Sequence, residues 1–440
     1  MARRTLDVYT EWRGGTCRVK WWTGEYLPSG RKRFESEGGF DDEDEALKHG
    51  MAKLTAIRDG SNISNRDAST LMDDWLDTWL TGLDHGHLTE EGYDGIVRNH
   101  IRPYFTGKAV ADVDVLVYRA FRKHLHSKEY APGKLLAPST IKNIMGVLNM
   151  VLDDAAPKLI KTSPVERKRP RGRYRKAKKR ERKKDMLIEH VDRLARNAEI
   201  LMGLSGYVLV WMIATTGMRP GELYGLTREY CYPAWPASDL RLDDDETDRY
   251  DDDLDRYGKG GDRMPAVRVE RQVQYKKGKL GFFPPKYDSY RTLVIPPFLA
   301  RMLETVLASH DSNWVMVALQ GGGLGHITFH GKWWGWITGG AEERQGYWAR
   351  PEVKPVAAYL GKRFYLLRHG HKSWLDADGH SEFAKEHRMG HEMPGSAGTY
   401  STVTVEEERA IMKKLQRRWD RHIERMHAEA LIANSRPVSQ

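Results

Sequence analysis

Two stretches hold the residues whose types and spacing could do chemistry. T-T-G-M-R-P-G-E-L sets Arg219 between a glycine turn and a proline. R-F-Y-L-L-R-H-G, followed by M-G-H and then a tyrosine nine residues further on, supplies Arg368, His391 and Tyr400. Between them F-P-P-K-Y, just before the strand-like R-T-L-V, offers Lys286 in a strand-turn. A phenol attacking a phosphodiester generates a five-coordinate phosphorane with added negative charge on its non-bridging oxygens. Arginine suits that charge, because it is always ionised and donates in a planar fork. Arg219 and Arg368 are therefore candidates to hold a phosphate, and Tyr400 to attack it. Lys286 could protonate the departing 5′-oxygen, and His391 could donate to the phosphate or manage the tyrosine proton. A phosphotyrosine stores the energy of the broken bond, so rejoining needs no ATP. This chemistry calls for no metal and no cofactor. Taken singly, such an arginine is usually a cap, such a tyrosine core and such a histidine structural. Their ordered spacing is the stronger signal.

Helices and strands must bring these dispersed residues together. Residues 185–415 form the largest unit, with helices predicted over His190–Arg196 and Gly206–Thr216. Val267–Gln274 and Arg291–Ile295 alternate as strands. Gly321-Gly322-Gly323 is a turn and lacks the G-K-[ST] of a phosphate loop. Trp333-Trp334-Gly335-Trp336 is expected in the core. Thr404-Val405-Glu406-Glu407 opens a last helix with a capping box. Its stripe of Ile411, Leu415, Trp419, Ile423, Met426 and Ala430 must bury against this chain or a neighbouring protomer. The separate C-terminal helix and tail are taken as 416–440.

Upstream, residues 1–62 read as a small sheet-plus-helix domain, with strands at Thr16–Trp22 and Arg31–Ser36 and a helix from Asp44 to Arg58. Its basic and aromatic residues suit a duplex groove. Residues 67–165 read as all-helical. One helix carries Leu71, Trp75, Trp79 and Leu80, and a second starts at Leu88 and stops near Pro103. A third covers Asp112–His126, and a fourth is capped by Pro138-Ser139-Thr140 with Ile141, Ile144, Val147, Leu148, Val151 and Leu152 on one stripe. The fold class is thus α+β and multidomain, with small antiparallel sheets.

The chain has 440 residues and a net charge of +10. Arg167–Lys184 holds thirteen Lys/Arg and one Glu, a net +12, so everything else sums to −2. Residues 166–184 are read as a basic linker lying along a polyanion backbone, with Arg167, Lys168, Arg169, Arg171, Arg173, Arg175, Lys176, Lys178 and Lys179 as DNA contacts. Asp239–Asp255 has ten Asp/Glu without the spacing of a calcium loop, and is expected to be a solvated insertion. Cys17 and Cys231 are too few and too distant for a disulfide framework. No apolar run spans a membrane and the N-terminus has no secretory h-region, so the cytoplasm is the expected compartment.

The boxes together resemble the tyrosine recombinases, the phage-integrase family. T-G-M-R-P-G-E-L is similar to the family's first arginine box, which makes Glu222 the acid supporting Arg219. P-P-K-Y-D-S-Y-R-T resembles its lysine segment, Y-L-L-R-H-G its second arginine box, and M-G-H with the following tyrosine its last. One position departs. Where the family usually has histidine three residues before the second arginine, this chain has Tyr365, which can donate a hydrogen bond to phosphate but is neither cation nor base near neutral pH.

The resemblance implies an arm-type DNA-binding domain at 1–62, a core-binding domain at 67–165 and a catalytic domain at 185–415. It also implies a homo-tetramer on two duplexes, double-stranded attachment-site DNA as partner, exchanged C-terminal segments, and room for an accessory DNA-bending or excision factor. The function it implies is integration or excision of a phage or integrative element. The rivals are a type IB topoisomerase, a non-catalytic DNA-binding regulator, and a metal-dependent transposase. The last would need an Asp/Asp/Glu triad that the crowded acids around Asp245 do not resemble.

Overall fold

The computed structural model describes residues 7–59, 63–84, 86–166, 186–236, 253–276, 278–319, 321–324, 329–346, 349–391 and 403–435. The chain divides into two compact units, Met1–Lys176 and Ala177–Gln440.

The first unit begins with an antiparallel sheet. Strand β1 (Val8–Arg13) and strand β3 (Lys32–Phe40) flank β2 (Thr16–Tyr26). Alternation along β2 sends Cys17, Val19 and Trp21 to one face, where helix α1 (Glu43–Arg58) covers them with Ala46 and Leu54. Asp42 caps α1, its carboxylate accepting from the Asp44 N–H at 3.2 Å. Gly50 of α1 is there because a side chain would collide with Val19 and Val8.

The helical part of this unit has its own core. It consists of α2 (Met72–Thr81), α3 (His87–Ile96), α4 (Arg102–Phe105), α5 (Val115–Ser127) and α6 (Pro138–Ala155). The six stripe residues of α6 are all buried. Pro103 does not stop the second helix. A π-helical stretch, Val97–Ile101, precedes it, and helix resumes through Phe105 with the proline in its first turn, where no N–H is needed. The fourth helix is not capped by Ser139 or Thr140. Ala137 is the N-cap and Pro138 the first helical residue. A short hairpin, β4 (Glu129–Ala131) with β5 (Lys134–Leu135), joins α5 to α6.

The second unit is mainly helical. Helix α7 (Ile188–Met202) packs on α8 (Leu204–Thr216), which is buried along nearly its whole length. A short α9 (Pro220–Tyr224) follows. The predicted strand over Val267–Gln274 splits in two. β6 (Ala266–Val269) pairs antiparallel with β9 (Arg291–Val294), whereas β7 (Gln272–Lys276) forms a hairpin with β8 (Lys279–Phe283). Val267, Val269 and Val273 keep one parity across the break, which hid it. Then come α10 (Pro297–Ala308), α11 (Trp334–Gly339), α12 (Leu366–Ala377), α13 (Glu382–Met389) and α14 (Val405–Ser435).

Of the tryptophan tract only Trp334 is fully in the core. Trp333 and Trp336 are half-buried, and Trp336 has Lys332 and Arg350 against its ring. The acidic run is described only from Asp253, and that residue is not solvated. It is 9% exposed and accepts from the Thr292 hydroxyl of β9 at 2.8 Å.

Helix α14 opens as its box requires. The Glu407 N–H donates to Thr404 Oγ1 at 3.2 Å, and the Thr404 N–H to Glu407 Oε2 at 3.3 Å. One uninterrupted helix crosses position 416. The first part of its stripe finds a groove in its own unit, and Met426 and Ala430 do not. Ile411 and Leu415 are buried, and Trp419 stacks on Phe298 at 4.4 Å and meets Trp211 edge-on at 4.8 Å. Further along, Met426 and Leu431 are exposed.

Candidate active site

The C-terminus of α8 is the anchor of the site. The last carbonyls of a helix have no intrahelical partner and carry its negative partial charge. Here side-chain donors take them. His371 Nδ1 donates to Ala214 O at 3.0 Å, Arg388 Nη2 to Thr215 O at 2.9 Å, and Arg368 Nη1 to Gly217 O. That is how two guanidiniums come to be buried, Arg368 at 1% and Arg388 at 4% exposure. Burial pulls each down to about 10, still cationic at neutral pH. Gly217 closes α8 in the left-handed region at φ 68°, and a Cβ there would lie 2.6 Å from the His371 ring.

Two residues later Arg219 is the N-cap of α9, with Pro220 at the first helical position. Glu222, at the third position, accepts the Arg219 backbone N–H at 2.7 Å and its Nη1 at 2.8 Å. Glu222 is fully buried and also accepts from Arg291 Nη2 at 2.8 Å. Burial alone would raise its carboxyl, but Arg291 and Arg219 together outweigh this and hold it below the usual range. One acid thus orients two guanidiniums.

Helix α13 delivers His391. Gly390, left-handed at φ 62°, ends the helix; its N–H donates to His387 O at 2.9 Å, and the His391 N–H to Glu386 O at 3.0 Å. A Cβ on Gly390 would lie 2.8 Å from Arg291 Nη1. The consecutive carbonyls of this turn are gripped from both sides. Arg368 Nη2 donates to Met389 O, and Arg219 Nη2 to Gly390 O at 2.7 Å. Arg368 Nη2 also lies 3.1 Å from His391 Nε2. His391 Nδ1 meets Glu386 Oε2 at 2.5 Å.

Arg219, Glu222, Arg368 and His391 therefore converge on one turn. Tyr365 joins them, its ring 5.9 Å from the Arg368 guanidinium carbon. Lys286 reaches the same place through Ser289, whose hydroxyl accepts from Arg219 Nη1 at 2.8 Å and donates to Lys286 O at 2.9 Å. The Lys286 ammonium is exposed and stands 4.8 Å over the ring of Tyr287. That tyrosine and Asp288 are both left-handed, a strained pair for residues other than glycine. Tyr400 and the DNA contacts assigned to Arg167–Lys179 lie outside the described residues.

Several site residues carried no sequence signal of their own. Ser289, Arg291, Glu386, Arg388 and His371 are ordinary polar types in a linear reading. Only Glu386 had a readable cue, since it stands five residues before a histidine that follows a helix-ending glycine. Among the described residues no three His, Cys, Asp or Glu side chains cluster as a metal site would. No helix among them is long and apolar enough to cross a membrane.

No protein-family model and no curated protein matches the chain. Solved structures do. The Tn1549 transposon integrase in complex with transposon right end DNA aligns with TM-score 0.51 and 16% identity, over 78% of this chain and 98% of that one. The same integrase in complex with a circular intermediate DNA aligns with TM-score 0.53 and 15% identity, over 79% and 100%. A lambda integrase dimer bound to a COC′ core site aligns with TM-score 0.47 and 16% identity, over 89% and 93%. With its antiparallel sheets, helical bundle and arginine-clamped turn, this chain has the tyrosine-recombinase fold.

Proposed function

We propose that the chain is a site-specific DNA recombinase that cleaves and rejoins attachment-site DNA through a 3′-phosphotyrosyl intermediate, integrating or excising a phage or integrative element. The observation that carries this reading is the convergence of Arg219, Arg368 and His391 at the Met389–Gly390 turn, with His391 nine residues before Tyr400. The fold supports it, being shared with integrases solved on DNA.

In this mechanism the phosphate lies at the Met389–Gly390 turn and takes N–H donation from Arg219 and Arg368 in exchange for the carbonyls they hold there. Tyr400 attacks phosphorus as its proton leaves. Charge developing on the non-bridging oxygens is met by Arg219 and Arg368, already fixed by Glu222 and by backbone carbonyls, so little reorganisation is needed. Tyr365 donates to a phosphate oxygen. Lys286 swings from its perch on Tyr287 to protonate the 5′-oxygen as the P–O bond breaks. The 5′-hydroxyl of the partner strand then attacks the phosphotyrosine, returning the phenol.

Residues 1–62 serve as arm-type domain, 67–165 as core-binding domain, 166–184 as basic linker and 185–415 as catalytic domain. Four protomers act on two duplexes in the cytoplasm. Incubating the protein with a nicked suicide duplex from its own element's junction, without divalent metal, should give a covalent protein–DNA band. Tyr400→Phe should abolish that band while duplex binding persists. An adduct that survives the substitution removes Tyr400 as nucleophile, and relaxation of supercoiled DNA without strand exchange would favour the topoisomerase reading.

A further inference from the structure

The glycine cap that ends α13 does more than stop a helix. It folds His391 back over the residue whose carbonyl it bonds, so Glu386 holds His391 twice. Glu386 O accepts the His391 N–H at 3.0 Å, and Glu386 Oε2 meets Nδ1 at 2.5 Å. The other carboxylate oxygen is taken by the Lys372 ammonium from α12. Lys372 also lies 3.6 Å from Glu382 of the same helix as Glu386, so this ammonium joins α13 to α12, and the Glu386 side chain is only 12% exposed. On the far side of the imidazole, Arg368 Nη2 stands 3.1 Å from Nε2. A guanidinium can only donate, so Nε2 must present a lone pair and the ring proton sits on Nδ1, facing the carboxylate. An imidazolium would set two donors against each other at Nε2.

We propose that Glu386, held by Lys372, is a positioning residue that fixes His391 in the Nδ1–H tautomer, so that Nε2 acts as an acceptor before chemistry. This rests on the recombinase reading and decides between the two roles open to His391. When a phosphate takes over the Arg368 N–H groups, Nε2 is released. The Tyr400 O–H proton passes to it as the phenolic oxygen bonds phosphorus, and the 5′-oxygen departs with a proton from Lys286. The imidazolium so formed donates from Nδ1 to Glu386 and from Nε2 to a phosphate oxygen. A carboxylate that fixes a histidine tautomer in this way is worth up to about 10⁴ in rate in serine proteases.

The test uses the full-length protein with ¹⁵N-labelled histidine, His391→Gln serving to assign the His391 ring nitrogens. At neutral pH the wild type should show a protonated Nδ1 and a bare Nε2. Glu386→Ala should shift the ring toward the Nε2–H form and slow single-turnover cleavage of the suicide duplex at least tenfold. Glu386→Gln, which still offers an oxygen but no charge, should keep the tautomer and lose part of the rate, and it stands in if the alanine variant does not fold. An Nε2–H ring in the wild type overturns the proposal. So does an unchanged tautomer and rate in both variants while Tyr400→Phe still abolishes the adduct. If the wild type forms no adduct at all, the recombinase reading fails, and the tautomer measurement still decides what Glu386 does to His391.

Discussion

At the scale of single residues, the site solves a problem of burying charge. Arg368, Arg388 and Arg291 are each at most 4% exposed, and one buried carboxylate, Glu222, faces two of the site's guanidiniums. Burying cations in apolar protein is costly unless each N–H is met. The remaining partners are backbone carbonyls, two of them at the end of α8, and the ring nitrogens of His371 and His391. His371 completes this layer. It has no exposure, and burial together with Arg388 pushes its imidazole well below the ordinary value. Arg388 Nε donates to its Nε2 at 3.0 Å, which requires the neutral ring. A depressed histidine contributes stability that is complete above its unfolded value of about 6.5. That contribution is lost as pH falls below it, because only the unfolded chain then takes the proton. Glu222, also depressed, adds a loss in the same direction below about 4.5. The melting temperature should therefore drop between pH 7 and 5.5, with a slope approaching roughly 1.4 kcal/mol per pH unit from His371. His371→Gln, which can accept from Arg388 and donate to Ala214 O, should flatten that slope.

At the scale of elements, two left-handed glycines and one helix do the positioning. Gly217 and Gly390 turn the chain where Cβ atoms would strike the site, so the helix ends and the side chains of the candidate site are set by the same residues. Helix α14 matters differently. Its first four turns are fastened to the rest of the second unit by the Trp419–Phe298 stack and by Phe298 N–H donation to Gln416 Oε1 at 2.8 Å. A buried Tyr257–Glu408 hydrogen bond of 2.7 Å adds to this, and burial raises the Glu408 carboxyl. Trp419→Ala should cost about 2–3 kcal/mol, somewhat under the 3–5 of a fully buried ring, read as a lowered urea midpoint. A loss of less than about 0.5 kcal/mol, the size of a surface change, would mean that the stack contributes packing without stability.

At the scale of the whole molecule, charge is partitioned. The segment Arg167–Lys184 carries the net +12 and falls between the described parts of the two units. Each phosphate neutralised contributes about −0.9 to the slope of log K against log salt. Deleting the segment and joining its ends with a neutral linker of equal length should weaken duplex binding and flatten that slope by several units. Fluorescence anisotropy at several salt concentrations measures both, and an unchanged slope would make the run only a tether.

Much of this was legible without coordinates because local rules carry it. The capping box at Thr404, the proline after Arg219 and the glycine before His391 each set their own few residues, whatever surrounds them. The α6 stripe reads as core because helical period alone puts its residues on one face. The sequence by itself thus determined the fold class, most helices, and four of the side chains that meet at the turn. Tertiary structure alone decided the rest. Ser289, Arg291, Glu386, Arg388 and His371 belong to the site through contacts that, for most of them, span between about 70 and 170 residues of chain. The split of Val267–Gln274 into two sheets followed from which partners each half found. The first part of the α14 stripe, through Trp419, turned inward because its own unit offered the Phe298–Trp211 groove. Period and spacing state what a residue can do. Which carbonyl a guanidinium meets depends on distant chain folded against it, and no local pattern encodes that.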